Sequence, residues 1–204
     1  FVKSYPFVPY QFTLFQKAIM GLSQHDDFEG RYRSVGERSM LGVFQEVVKA
    51  IADQEVGALA PFDVMFEGIR SALRTQIQQA IINAENHLNN PYAVRVLKAL
   101  LLVKYIQGFN ATPRNLRVLL QSKLDEDLTA LEKEIKIALD ILEQETYIQR
   151  NGEVFEYLTD EEKDIEKEIK DTAVDQDEIA KTIEDLFFTG IIRENKITFE
   201  ATHQ

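Results

Sequence analysis

Apolar side chains recur at intervals of three and four residues through most of this chain, a spacing that gathers them on one face of a helix. Phe12, Phe15, Ile19 and Leu22 keep it first. Met40, Phe44, Val47, Val48 and Ile51 keep it next, and another helical pattern runs from about Phe62 to Leu88. The stripes are separated by breakers rather than by strands. Pro6 and Pro9 favour an extended lead-in. Residues 25–36 have no period and two glycines, Gly57 and Pro61 break the second stripe, and Asn89-Asn90-Pro91 stops the third.

The second half changes rhythm. Residues 92–107 form a stripe ending at Gly108, a residue suited to a helix C-cap. Thr112-Pro113 is a cap followed by proline at the first helical position, starting a short helix to about Gln121. Residues 125–145 align Leu128, Leu131, Ile135, Leu139 and Leu142. Thr146–Gln149 and Val154–Leu158 then read as strands around Asn151-Gly152, a strong hairpin signal. Helix, short helix, helix, hairpin is the order of a winged helix-turn-helix. Asp160–Asp171 is charged and reads as a solvated helix or a linker. Asp177–Thr189 is amphipathic, and IIRENKITF reads as strand, turn, strand.

The expected class is mainly α: a helical bundle over 1–90, a winged helix with a small β-hairpin over 91–159, and an acidic helix plus a C-terminal helix-hairpin over 160–204. The apolar fraction of 45% is enough to bury a core. Opening at Phe1 on a large-apolar stretch, the chain reads as an excised or processed piece. No apolar run approaches the roughly 18 residues of a membrane span, and no signal-peptide pattern opens the sequence. With no Cys either, a reducing, cytoplasmic setting without a membrane partner is expected.

Charge narrows the function. The net charge is -11, and residues 160–204, with 14 acidic and 6 basic side chains, carry -8 of it. Nucleic-acid binding by the whole surface is excluded, because phosphate binding needs clustered Lys and Arg; a local basic face stays open. No GxxxxGK[ST] or GxGxxG loop is present, and His25, His87 and His203 fit no metal-ligand frame. No nucleophile has an activating base nearby in sequence, so neither a catalytic site nor a cofactor or metal site is expected.

Two sets of residues are candidates. Gly36-Glu37-Arg38-Ser39-Met40-Leu41 puts an arginine in the first turn of an apolar helix, as the helical lid of an AAA-type ATPase does. The planar guanidinium of Arg38 suits a γ-phosphate held by a neighbouring domain; alternatively it pairs with Glu37 or Glu46, or faces solvent. A nucleic-acid face of the winged helix would use Arg114, Arg117 and Lys123, then Lys133 and Lys136, then Arg150 from the wing. The third helix, the usual groove reader, also carries Asp125, Glu126, Asp127, Glu132, Glu134, Asp140 and Glu143. That places protein contact slightly ahead of DNA contact.

The strings YPFVPYQFTLFQKAI, VGERSMLGVFQEV and LAPFDVMFEGI resemble the BREX phage-defence P-loop ATPase family, also called BrxC or PglY. ALLLVKYIQGFNATPRNLRVLL and TYIQRNGEVFEYLTDEEKDIEKEIK are similar to the same proteins. The resemblance covers about Phe1 to Lys170 and more loosely runs to Phe199, with YPFxPYQF and GERSML its specific part and the winged-helix strings generic. It implies a lid-like bundle and a winged helix downstream of a nucleotide-binding core, with ATP and Mg belonging to that core. The implied partners are the nucleotide-binding domain of the same parent chain, a second copy, other BREX proteins and duplex DNA. Arg38 would be the lid arginine.

Overall fold

The structure, a computed structural model, describes residues 3–29, 37–171 and 176–188, with the backbone alone at 37–39, 170–171 and 176–178. It is mainly helical with one small antiparallel hairpin among the described residues. The chain divides into two compact units, Phe1–Asp164 and Ile165–Gln204. The Asn90/Pro91 boundary falls inside the first unit.

Helix α1 (Tyr10–Gln24) and helix α2 (Glu37–Ala50) follow the first two stripes. Phe15 and Leu22 of α1 are fully buried, and Phe44 of α2 meets Phe7, Phe12 and Phe15 at ring-centroid distances of 5.0, 4.7 and 5.7 Å. The polar Gln11 is also buried, and both ends of its amide are satisfied. It accepts from Val8 N and donates to the Ala60 carbonyl at 2.7 Å.

The stripe over 62–88 is not one helix. Tight turns at Phe62–Val64 and Arg70–Ala72 flank the short α3 (Met65–Ile69), and α4 spans Thr75–His87. The break comes from pairing across the chain. Glu29 N donates to Ala72 O at 2.9 Å and Arg74 N to Asp27 O at 2.8 Å, which draws the buried Leu73 into an extended conformation between them. The expected loop at 25–36 thus holds a short bridge, Phe28 to Leu73; its residues 30–36 lie outside the described residues. At Gly68 on α3 a Cβ would sit 2.6 Å from Val43, so α2 and α3 meet more closely than any larger residue there allows.

Helix α5 (Pro91–Val103) is the centre of the unit. It is apolar nearly all round, which suits a helix covered on every side, and Val96 through Val103 are buried apart from the half-buried Lys98. It packs on α1, α3, α4 and the Phe62 turn, and equally on α6 (Pro113–Leu120), α7 (Leu128–Gln144) and the strand Val154–Tyr157. Asn90 and Thr112 cap α5 and α6 ahead of Pro91 and Pro113, the cap-then-proline start seen in the sequence. Helix α5 ends at Val103, a turn short of Gly108. Ile106 N bonds back to Val103 O, and Lys104 and Tyr105 are held by other elements.

Strands β1 (Ile148–Asn151) and β2 (Val154–Tyr157) pair antiparallel with Ile148 opposite Tyr157 and Asn151 opposite Val154. The loop residues are Gly152 and Glu153, one position later than Asn-Gly would place them, and Gly152 takes φ 64. Phe155 N donates to Ala111 O at 3.0 Å, tying β2 to the link between α5 and α6.

Helix α8 (Asp160–Asp171) is formed, with a reciprocal cap at its start: Thr159 N donates to Glu162 and Glu162 N donates to Thr159 Oγ1. Helix α9 spans Gln176–Asp185. The expected strands of IIRENKITF lie outside the described residues.

Candidate functional site

Six cations were expected to form one face; the structure brings three of them together. Arg114 stands in the first turn of α6, Lys136 on α7, and Arg150 on β1. They line a groove of about 430 Å³ between these elements. Its floor is apolar, from Pro113, Leu139 and Phe155, and the Arg150 guanidinium lies 5.5 Å from the centre of the Phe155 ring. Glu132, Lys136, Leu139 and Asp140 reach it together because positions four and seven or eight apart share a helix face.

The groove is not a basic surface. Glu132, Asp140 and Glu153 line it beside the three cations. Glu132 accepts from Lys136 at 3.0 Å and from Arg117 at 2.8 Å. The hydrogen bond from Lys136 is the main reason the Glu132 carboxyl stays below the usual range, with Arg117 and Arg114 adding to it. Arg117 is committed to this internal bridge, and its Nε is buried without a hydrogen-bond partner. Lys133 is exposed on α7 away from the groove lining, and Lys123 sits in the α6–α7 loop, bridged to Ala58. Arg38 lies in the first turn of α2, and its side chain is outside the described residues.

Sequence reasoning missed a second polar centre, around Lys104. Its ammonium is nearly sealed, with 3% of the side chain exposed, and donates to Tyr157 O and to the Glu162 carboxylate, each at 2.6 Å. Burial pushes the Glu162 carboxyl up, but Lys104 and the Thr159 cap outweigh it and hold it below its ordinary value. Close by, a cavity of about 200 Å³ is lined by His25, Asp27, Arg74 and Tyr105 among others, with the His25 ring stacked 3.8 Å from Tyr105. Asp27 is 8% exposed; burial raises its carboxyl above the usual range, against the Tyr105 hydrogen bond and the charges of His25, Arg74 and Lys104. The signal for the anchor was present as Thr159-x-x-Glu162, a capping-box pattern. Lys104 gave none, since a lysine ending an apolar helix reads as exposed.

These groups neutralise and position one another. Among the described residues no group of three His, Cys, Asp or Glu side chains could hold a metal ion, and no helix is long and apolar enough to cross a membrane. No family model matches this chain, and no solved structure matches it.

Proposed function

We propose that this chain is a non-catalytic coupling segment of a large P-loop ATPase of the BREX phage-defence family, and that α5 to β2 form a winged-helix module that docks protein. Three things support the family and module: the YPFxPYQF and GERSML strings, the succession α5, α6, α7, β1, β2, and the tie from Phe155 to the α5–α6 link, where winged helices carry a third strand. In this reading Arg38 reaches toward nucleotide held by the ATPase core of the same parent chain, and ATP and Mg belong to that core.

The observation that carries the docking reading is the interleaving of charge in the groove, with Arg114, Lys136 and Arg150 set among Glu132, Asp140 and Glu153 over an apolar floor. Duplex DNA presents about one negative charge per 1.7 Å of its axis and rewards a surface that neutralises phosphates. Carboxylates inside that surface oppose it. A protein surface carries both signs and is matched by such a lining.

Charge reversal separates this from the second reading, a DNA-binding winged helix, which the convergence of three cations from three elements favours. Arg150→Glu and Asp140→Lys are introduced singly into the intact parent protein, and assembly with the other BREX proteins and duplex affinity are measured. Protein docking predicts that both substitutions weaken assembly. DNA binding predicts opposite effects on duplex affinity, weaker with Arg150→Glu and stronger with Asp140→Lys. In the same protein, unchanged ATP turnover and unchanged oligomer formation in Arg38→Ala would remove the lid-arginine role.

A further inference from the structure

The cations around the groove differ in how far they are committed. Lys136 and Arg117 are both bonded to Glu132. Arg150 is held without being neutralised. Its Nε donates to the Gly152 carbonyl at 2.9 Å and its guanidinium lies over the Phe155 ring, and among the described residues no ion pair engages it. The residue is nonetheless exposed. A long exposed side chain normally samples many rotamers, and a partner that uses it must first order it. Here one carbonyl and one ring supply that order before any partner arrives.

What fits beside a fixed guanidinium follows from its chemistry. It is planar, weakly hydrated and stacks on aromatic faces. A ring brought against it gains a cation–π attraction that an aliphatic group of the same size does not. Next to it the groove has an apolar floor, from Pro113, Leu139 and Phe155, and a volume of about 430 Å³. A large ring can therefore be desolvated in the groove, as the central anchors of protein interfaces are. We propose that the groove is keyed by an aromatic side chain of the partner, seated on this floor with its ring against Arg150. The proposal rests on the reading of the groove as a protein-docking site, and it names the partner residue that reading leaves open.

The test titrates the whole chain with N-acetyl-phenylalaninamide and with its cyclohexyl analogue, which keeps the apolar bulk and lacks the π face. Dissociation constants are fitted from NMR shifts of the Arg150 Nε–H and the Leu139 methyl groups. The aromatic probe is expected to saturate at about 1 mM, the strength of a lone anchor without the rest of an interface. The cyclohexyl probe is expected to bind several-fold more weakly. Arg150→Ala removes the guanidinium from an exposed position, and in that variant the two probes should bind alike. Three results overturn the proposal. These are no shift at Arg150 or Leu139 up to about 20 mM, cyclohexyl binding as tight as aromatic binding, and an aromatic preference that survives in Arg150→Ala. Any of them, with assembly still weakened by both Arg150→Glu and Asp140→Lys, removes the aromatic anchor and leaves the docking reading standing. Assembly indifferent to both charge reversals removes the docking reading, and the anchor with it.

Discussion

Thr146 holds a left-handed backbone, φ 57, at the end of α7, where a β-branched residue is strained. It does so because Tyr147 N reaches back to Leu142 O and Thr146 N to Glu143 O, the paired bonds that close a helix before a sharp exit into β1. Thr146→Gly should therefore stabilise the protein by about 1 kcal/mol, read as a higher midpoint in urea unfolding. Asp27 has the opposite character. Its carboxyl titrates higher folded than unfolded, so the folded state holds its proton over a range where the unfolded chain has lost it. Between those two values stability falls as pH rises, and above the folded value the penalty is complete. Asp27→Asn should be more stable than the wild type at pH 7, and the difference should vanish as pH drops below the ordinary carboxylate range. A constant difference across that range would contradict the assignment.

At the scale of elements, helices were legible where their stripes ran unopposed, as in α1, α5 and α7, and where a cap preceded a proline, as at Thr112-Pro113. They were illegible where tertiary pairing overrode them. The break at Leu73 comes from residues 27–29, far away in sequence, and no local pattern announces it. The site was legible to the same degree. Spacing along α7 foretold Lys136 and its neighbouring acids, while the meeting of α6, α7 and β1 depends on packing around α5. Ion pairs between elements were the least visible. Asp63, 6% exposed, accepts from Arg95 at 3.0 Å, and Arg95 also donates to Leu120 O, joining the Phe62 turn, α5 and the end of α6. Arg95→Met leaves the Asp63 carboxylate buried and unanswered, and should cost about 3 kcal/mol. Adding Asp63→Leu should recover much of that loss; a double variant no more stable than the single would show that the pair is not the source.

At the scale of the molecule, several cations of the described residues share carboxylates between elements. Arg117 and Lys136 share Glu132, and Lys98 is shared between Glu67 and Glu85. The interleaved charge of the groove carries the central proposal, that the cleft between α6, α7 and the hairpin receives a protein surface and not a DNA backbone. The most direct measurement is titration of this chain into a labelled duplex at about 50 mM salt, where phosphate contacts are strongest. The account predicts no saturable binding up to about 10 µM, within the range where even unspecific DNA-binding proteins engage. Sub-micromolar binding that weakens steeply with added salt and is lost in Arg150→Glu would contradict it.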